Sequence, residues 1–311
     1  MRDSTRQHLF FKREYLQLFF ALLSALLFVS SRAQEPQDDD VVRVNTDLVV
    51  LNATVLDGAG KYVHGLRRSD FEVFEDTREQ TISHFSTEET PFAAAVLLDT
   101  SGSMEQRLTM ARSAAIRFLD GLREEDVAAV YHFDSEVEQI QEFSSSRDLA
   151  PLAFGLRAKG MTVLYDAILR AAADLAQRPE KRRAIVVLSD GADTRSGATA
   201  DKALTAALAA HATIYTVDMS LPNLASRERH VAAAALRNFA GKSGGRYVST
   251  PGGQALRDAF ASIVEELGNQ YTIGYQPTNR ARDGRWRAID LKLKRADLTA
   301  RTRKGYKASK N

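Results

Sequence analysis

The sequence predicts an α/β protein: a doubly wound, mostly parallel sheet flanked by helices, with a smaller β-sandwich-like module built from N- and C-terminal strands. Three observations predict it. The middle of the chain alternates continuous apolar runs with helix-period segments, which is the pattern of repeated βα units. The stretches on either side show period-two alternation broken by Gly and Asp, the pattern of strands and hairpins. Finally, 44% hydrophobic content over 311 residues, with 42 basic and 40 acidic side chains, describes a globular chain with enough apolar material for a sizeable core.

The chain begins with a basic segment (Arg2, Arg6, Lys12, Arg13), an apolar run at 18–29 and the small-residue site Ser31-Arg32-Ala33. Basic, apolar and small-x-small regions in that order read as a secretory signal peptide over 1–33. The apolar run is shorter than the roughly 18 to 20 residues that cross a bilayer, so no transmembrane span is expected in the mature chain. Without the five basic and two acidic residues of 1–33, 37 basic and 38 acidic side chains remain, and the exported protein is nearly neutral. The expected location is secreted, or periplasmic and cell envelope. The chain has no cysteine, which excludes disulfides, thiolate metal sites and thiol nucleophiles. Any metal must sit on oxygen or nitrogen ligands.

Residues 34–41 combine a proline with three consecutive aspartates and read as a flexible lead-in. An N-terminal β segment follows over 42–90, with runs at 42–45, 48–56, 71–75 and 81–85. The α/β domain is expected over 91–270. Its first strand, Ala93 to Asp99, is a continuous apolar run, as a parallel strand covered on both faces should be. A helix at 105–122 carries Leu108, Ala111, Ala115, Ile116, Leu119 and Leu122 on one face. Strands at 126–133 and 137–143 come next, then helices near 147–157 and 164–177. Strand 183–189, helix 198–211, strand 213–218, helix 227–241, strand 247–250 and helix 254–267 complete the series.

The chain closes with a basic β segment over 271–311, with strands at 271–276, 286–294 and 299–306. From Arg280 onward its charge balance is +9, whereas Glu35 to Glu89 carries −8. Opposite charge on two flanking β segments suggests that they pair, with the α/β domain inserted between them. The rival reading makes the basic strands a patch for an anionic envelope surface, since clustered Lys and Arg suffice for that.

The chemistry is expected at the carboxyl end of the first core strand, where Asp99-Thr100-Ser101-Gly102-Ser103 offers one carboxylate and two hydroxyls at alternate positions. Open α/β sheets bind ligands beyond the carboxyl ends of their strands. Two other loops on that edge carry oxygen donors: Gly160-Met161-Thr162 and Ser189-Asp190-Gly191. Asp99, Ser101, Ser103, Thr162 and Asp190 thus become candidate ligands. Hard donors with only two carboxylates favour a small octahedral cation that keeps some water, Mg²⁺ or Mn²⁺, over Ca²⁺ or zinc. One position would stay open for an Asp or Glu of another molecule.

These residues resemble the metal-ion-dependent adhesion site of von Willebrand factor type A domains: Asp-x-Ser-x-Ser at Asp99, Ser101 and Ser103, a later Thr at Thr162 and a later Asp at Asp190. The resemblance covers about residues 92–267. The flanks, with Asp70-Phe71-Glu72-Val73-Phe74 and Tyr271-Thr272-Ile273-Gly274-Tyr275, look like an exported bacterial subgroup of such proteins. The resemblance implies direct ligation by Ser101, Ser103 and Thr162, Asp99 and Asp190 bound directly or through water, and a protein ligand supplying a carboxylate. It also implies that the helix at 254–267 is the element that slides in some members.

Plainer readings compete at several positions. An isolated Asp-x-Ser-x-Ser turn can simply cap a helix, and Asp166 and Asp193 read as turn or cap residues. The histidines at 64, 84, 132, 211 and 230 form no ligand-spaced pair. Phosphotransfer on an aspartyl nucleophile would want a second carboxylate where Ser101 stands, and no nucleotide or hydrolase motif is present. The expectation is a non-catalytic, metal-dependent adhesion module that binds protein and no nucleic acid. The alternative is an envelope-tethering structural protein acting through its basic strands.

Overall fold

The computed structural model describes residues 48–87, 90–158, 160–220, 227–250 and 252–310. The signal peptide and lead-in expected at 1–41, and the strand expected at 42–45, lie outside the described residues. The chain enters through β1 (Val49–Leu56), β2 (Phe71–Glu75), β3 (Arg78–Gln80) and β4 (Ile82–Ser86). The α/β series then runs β5 (Phe92–Asp99), α1 (Leu108–Asp120), β6 (Val127–Phe133), β7 (Val137–Ser144), α2 (Leu152–Gly155), α3 (Leu164–Ala176) and β8 (Arg182–Ser189). It continues through α4 (Ala200–Ala209), β9 (Ala212–Asp218), α5 (Arg227–Ser243), β10 (Tyr247–Ser249) and α6 (Gly253–Gly268). The last strands are β11 (Tyr271–Tyr275), β12 (Trp286–Leu293), β13 (Thr299–Arg301) and β14 (Gly305–Lys307).

Among the described residues, the central sheet has the order β10-β9-β8-β5-β6-β7, parallel except for β7, which runs antiparallel to β6. The all-apolar composition of β5 has a direct structural use. Ala94, Val96 and Leu98 face one core layer with α1 and α6, whereas Ala93, Ala95 and Leu97 face the other with α3, α4 and α5. Alternate positions of a strand point to opposite faces, so a strand covered twice has no polar position to offer. The strand order reverses about β5, with β6 and β7 added on one side and β8, β9 and β10 on the other, which makes the sheet doubly wound and opens a crevice beyond the carboxyl ends of β5 and β8.

The flanking strands build two antiparallel four-stranded sheets, β13-β1-β11-β4 and β14-β12-β2-β3. In the first, β1 lies between β11 and β13, with Leu51 opposite Ile273 and Thr54 opposite Arg301. In the second, β12 lies between β2 and β14. Both sheets contribute to one apolar cluster, including Leu51, Val55, Phe71, Val73, Tyr271, Ile273 and Ile289. Phe71, Phe85 and Tyr271 meet there with ring centroids 5.3 to 5.9 Å apart. Sheets that share a core in this way form a small sandwich.

Three expectations change. The strand expected at 299–306 is two strands in different sheets, because the chain crosses between them at Thr302–Lys304, where Thr302 Oγ1 donates to Asn52 O and Lys304 N to Lys242 O. The helix expected at 147–157 shrinks to α2, with Pro151 at its start and Gly155 at its end, residues that begin and end helices. The first turn expected in the helix at 105–122 is a 3₁₀ turn over Gly102–Arg107 that leads into α1.

Candidate metal centre

Asp99 is the last residue of β5 and is fully buried, as are Thr100 and Ser101. Its carboxylate accepts from Ser101 N at 2.9 Å and from Ser189 Oγ at 2.5 Å. Burial pushes the Asp99 carboxyl up to about 7; the hydroxyl and amide donors of Ser101 and Ser189 oppose the rise, and the negative charge of Asp190 adds to it. An acid so placed is costly to ionise unless a cation joins it.

The turn after Asp99 is held from both sides. Met104 N donates to Ser101 O at 2.9 Å, with the Met104 side chain fully buried, and Thr100 N donates to Phe133 O at 2.8 Å. The hydroxyls of Ser101 and Ser103 lie 3.1 Å apart, Ser101 buried and Ser103 exposed.

Thr162 comes from the loop before α3. That loop docks on the Ser101–Gly102 turn through Gly102 N donating to Gly160 O at 3.4 Å. Gly160 has φ +75°, and a Cβ there would stand 2.5 Å from Ser135 Oγ, so only glycine lets the loop pass so closely. Thr162 is buried, its N donating to Thr194 Oγ1 at 2.9 Å and its O accepting from Thr194 N and Arg195 N. The structure therefore ties Thr162 both to the Ser101 turn and to the loop that follows Asp190.

Asp190 is half-buried just past β8. The adjacent Gly191 has φ +80°, and a Cβ would approach Ala232 O of α5 to 2.8 Å. The chain thus turns back sharply against α5, with Gly191 N donating to Ser189 Oγ at 2.9 Å. Asp193 accepts from Tyr165 N at 3.0 Å and from Ser196 Oγ at 2.5 Å, which closes the first turn of α3. Asp166 accepts from Gly197 N and Ala198 N, both at 2.8 Å. Both acids are committed to backbone amides of the loop.

Two participants escaped sequence reasoning. Ser189, quoted in the sequence only as the neighbour of Asp190, holds Asp99 directly, and Thr194, which lies in no recognisable motif, holds Thr162. A strand-terminal Ser followed by Asp-Gly was the available signal for Ser189, but it reads equally as a turn.

The donor set fits a hard cation. Among the described residues no group of three or more His, Cys, Asp and Glu side chains is placed to hold a metal, so Asp99 and Asp190 would act with hydroxyls rather than within an all-carboxylate cage. Short hydroxyl and carboxylate side chains on three tightly bound loops suit a small ion that retains water.

Residues 94–192 match the family model of the von Willebrand factor type A domain, a stretch that contains Asp99, Ser101, Ser103, Thr162 and Asp190. No protein of curated function matches the chain in sequence. Among solved structures, the PilB minor pilin of Streptococcus sanguinis is 16% identical, with 61% of this chain and 63% of that one covered and a TM-score of 0.45. The chain thus spans less than two thirds of that pilin's length. The vWF domain of the type V pili tip protein Mfa5 of Porphyromonas gingivalis is 15% identical, covering 58% and 95%, with a TM-score of 0.44. An aerotolerance-related membrane protein of Bacteroides fragilis is 19% identical, covering 57% and 98%, also at 0.44. No helix among the described residues is long and apolar enough to cross a membrane.

Proposed function

We propose that the chain is an exported, non-catalytic binding module that holds Mg²⁺ or Mn²⁺ among Asp99, Ser101, Ser103, Thr162 and Asp190, and offers the ion's open position to an Asp or Glu of a protein partner. The observation that carries this reading is the buried Asp99 carboxylate, whose charged neighbour is another acid, Asp190. A divalent cation answers both charges at once and converts an electrostatic cost into a binding site. Ser101, Ser103 and Thr162 supply the neutral oxygens. The match of residues 94–192 to the type A domain model supports the same assignment.

The rival envelope-tethering reading needs free positive charge on the C-terminal strands, and much of that charge is engaged within the protein. Arg287 pairs with Asp283 at 2.9 Å, Arg295 with Asp297 at 2.7 Å, Arg301 with Glu266 and Lys307 with Asp201. Arg303 is buried and donates to Leu208 O.

The test is capture from a bacterial envelope extract on the immobilised mature chain, with Mg²⁺ or with EDTA, and at low or high salt. Capture that EDTA and Asp99→Ala both abolish, and that salt leaves intact, is the expected result. Capture that survives EDTA and collapses with salt assigns binding to exposed charge instead.

A further inference from the structure

A cavity stands beside the candidate metal centre. At the carboxyl edge of the same sheet, a cavity of about 250 Å³ opens between α5 and β10, lined by Asp218, Arg229, His230, Ala233, Arg237, Tyr247 and Ser249. It adjoins the candidate site through the sheet register. Ser189 of β8 pairs with Asp218 of β9, which pairs with Ser249 of β10. Neighbouring strands lie about 4.8 Å apart, so the cavity is roughly one to two strand spacings from the Asp190 loop. That loop also leans on α5, where a Gly191 Cβ would meet Ala232 O and the Leu236 side chain. Arg229, Ala233 and Arg237 follow one another at helical i, i+4 spacing along the cavity side of the same helix.

The lining favours an anion. Among the described lining residues Asp218 is the one acid, and its carboxylate accepts from Tyr247 OH at 2.6 Å, from Ser220 N at 2.8 Å and from Ser220 Oγ. Against this one carboxylate stand the guanidinium groups of Arg229 and Arg237, which give the described lining a positive charge balance. Arg237 is exposed and lies over the Tyr247 ring, 4.5 Å from its centroid, with Nη2 donating to Tyr247 OH at 3.4 Å. Stacking on the ring fixes the plane of the guanidinium and reduces the freedom it must lose when a ligand arrives. A planar fork of this kind matches a carboxylate in bidentate geometry.

We propose that this cavity binds a second carboxylate of the same acidic protein partner whose first carboxylate completes the metal site. The cavity's own affinity for carboxylate is independent of the metal, whereas the two-point footprint rests on the reading given under Proposed function. A partner with two acidic side chains a few residues apart would reach both points, and the second contact becomes intramolecular once the first has formed.

The test uses labelled glycine peptides carrying one glutamate, or two at separations of one to four residues, titrated at low ionic strength against the mature chain and its Arg237→Gln, Arg229→Gln and Lys294→Gln variants. In EDTA, the parent should bind the single-glutamate peptide weakly. Arg237→Gln should weaken that binding about fivefold, the scale of an exposed charge pair, while Lys294→Gln on the distant sandwich leaves it unchanged. In Mg²⁺, a two-glutamate peptide of suitable spacing should bind at least about tenfold more tightly than the single one, and Arg237→Gln should remove that gain. Equal binding by parent and Arg237→Gln in EDTA overturns the proposal, as does inorganic phosphate binding through Arg237 where the glutamate peptides fail. If Arg237→Gln weakens peptide binding while EDTA has no effect on the parent, the cavity assignment stands and the metal reading falls. Thermal unfolding of each variant, expected to match the parent, separates a lost contact from a lost fold.

Discussion

Asp99 carries a charge that the metal-free protein holds at a disadvantage. Its folded-state carboxyl is pushed up to about 7 from an ordinary 3.8, mainly by burial, with Asp190 adding to the effect. A raised acid means that the folded state binds the proton more tightly than the unfolded chain does. This group's contribution to stability is therefore fully present below about pH 4 and is lost as pH rises through about 7. Asp99→Asn, which keeps the shape and discards the charge, should raise the metal-free melting temperature at pH 8 while abolishing stabilisation by Mg²⁺. A parent and variant that respond equally to Mg²⁺ in a thermal melt would refute the ligand assignment. Since the ion must displace the Asp99 proton, the melting-temperature gain from saturating Mg²⁺ should grow between pH 5 and pH 8. A gain that stays flat over that range would exclude Asp99 from the centre.

At the scale of elements, loops and helices hold the site in place through a few close approaches. Gly191→Val would drive a side chain into Ala232 O and Leu236 at a backbone φ of +80°. It should lower stability by about 1–3 kcal/mol and weaken the Mg²⁺ response as the Asp190 loop shifts, measured by urea unfolding and metal titration. An unchanged metal affinity in a folded variant would show that α5 does not position Asp190. A second point of control is Glu266, near the end of α6. Its buried carboxylate accepts from Tyr215 OH of β9 at 2.8 Å, from Thr54 Oγ1 of β1 at 3.1 Å and from Arg301 of β13. One side chain thus joins the α/β layer to the sandwich. Glu266→Ala should cost about 3 kcal/mol, because it strips a buried group from several partners at once. A urea midpoint shift equivalent to less than about 0.5 kcal/mol, typical of a surface change, would deny Glu266 that role.

For the whole molecule, the first and last strands depend on each other across the inserted domain. β1 has β11 on one side and β13 on the other, and β2 pairs with β12. Deleting residues 271–311 removes both neighbours of β1 and leaves β2 with β3 alone, which exposes unpaired edges with apolar faces. The shortened chain is expected to lose amide-exchange protection over residues 49–75 and to aggregate. Protection there equal to that of the full chain would mean that the N-terminal strands fold without their C-terminal partners.

Local chemistry decided what could be read directly. The apolar run of β5 declared a doubly covered strand, since burial on both faces leaves no polar alternation. Asp99, Ser101 and Ser103 declared a cluster of oxygens, since three donors within five residues must share one turn. Period-two alternation likewise declared β1, β2 and β12. Folding in space decided the rest, because contacts between distant residues leave no local trace. Ser189 looks like any strand-terminal serine until β8 lies beside β5 and its hydroxyl reaches Asp99. The crossing at Thr302–Lys304 splits one alternating run between two sheets, which alternation cannot reveal because both halves obey it. The cavity at Arg237 exists only where α5 meets β10, and its basic residues are, in sequence, ordinary charges on a helix.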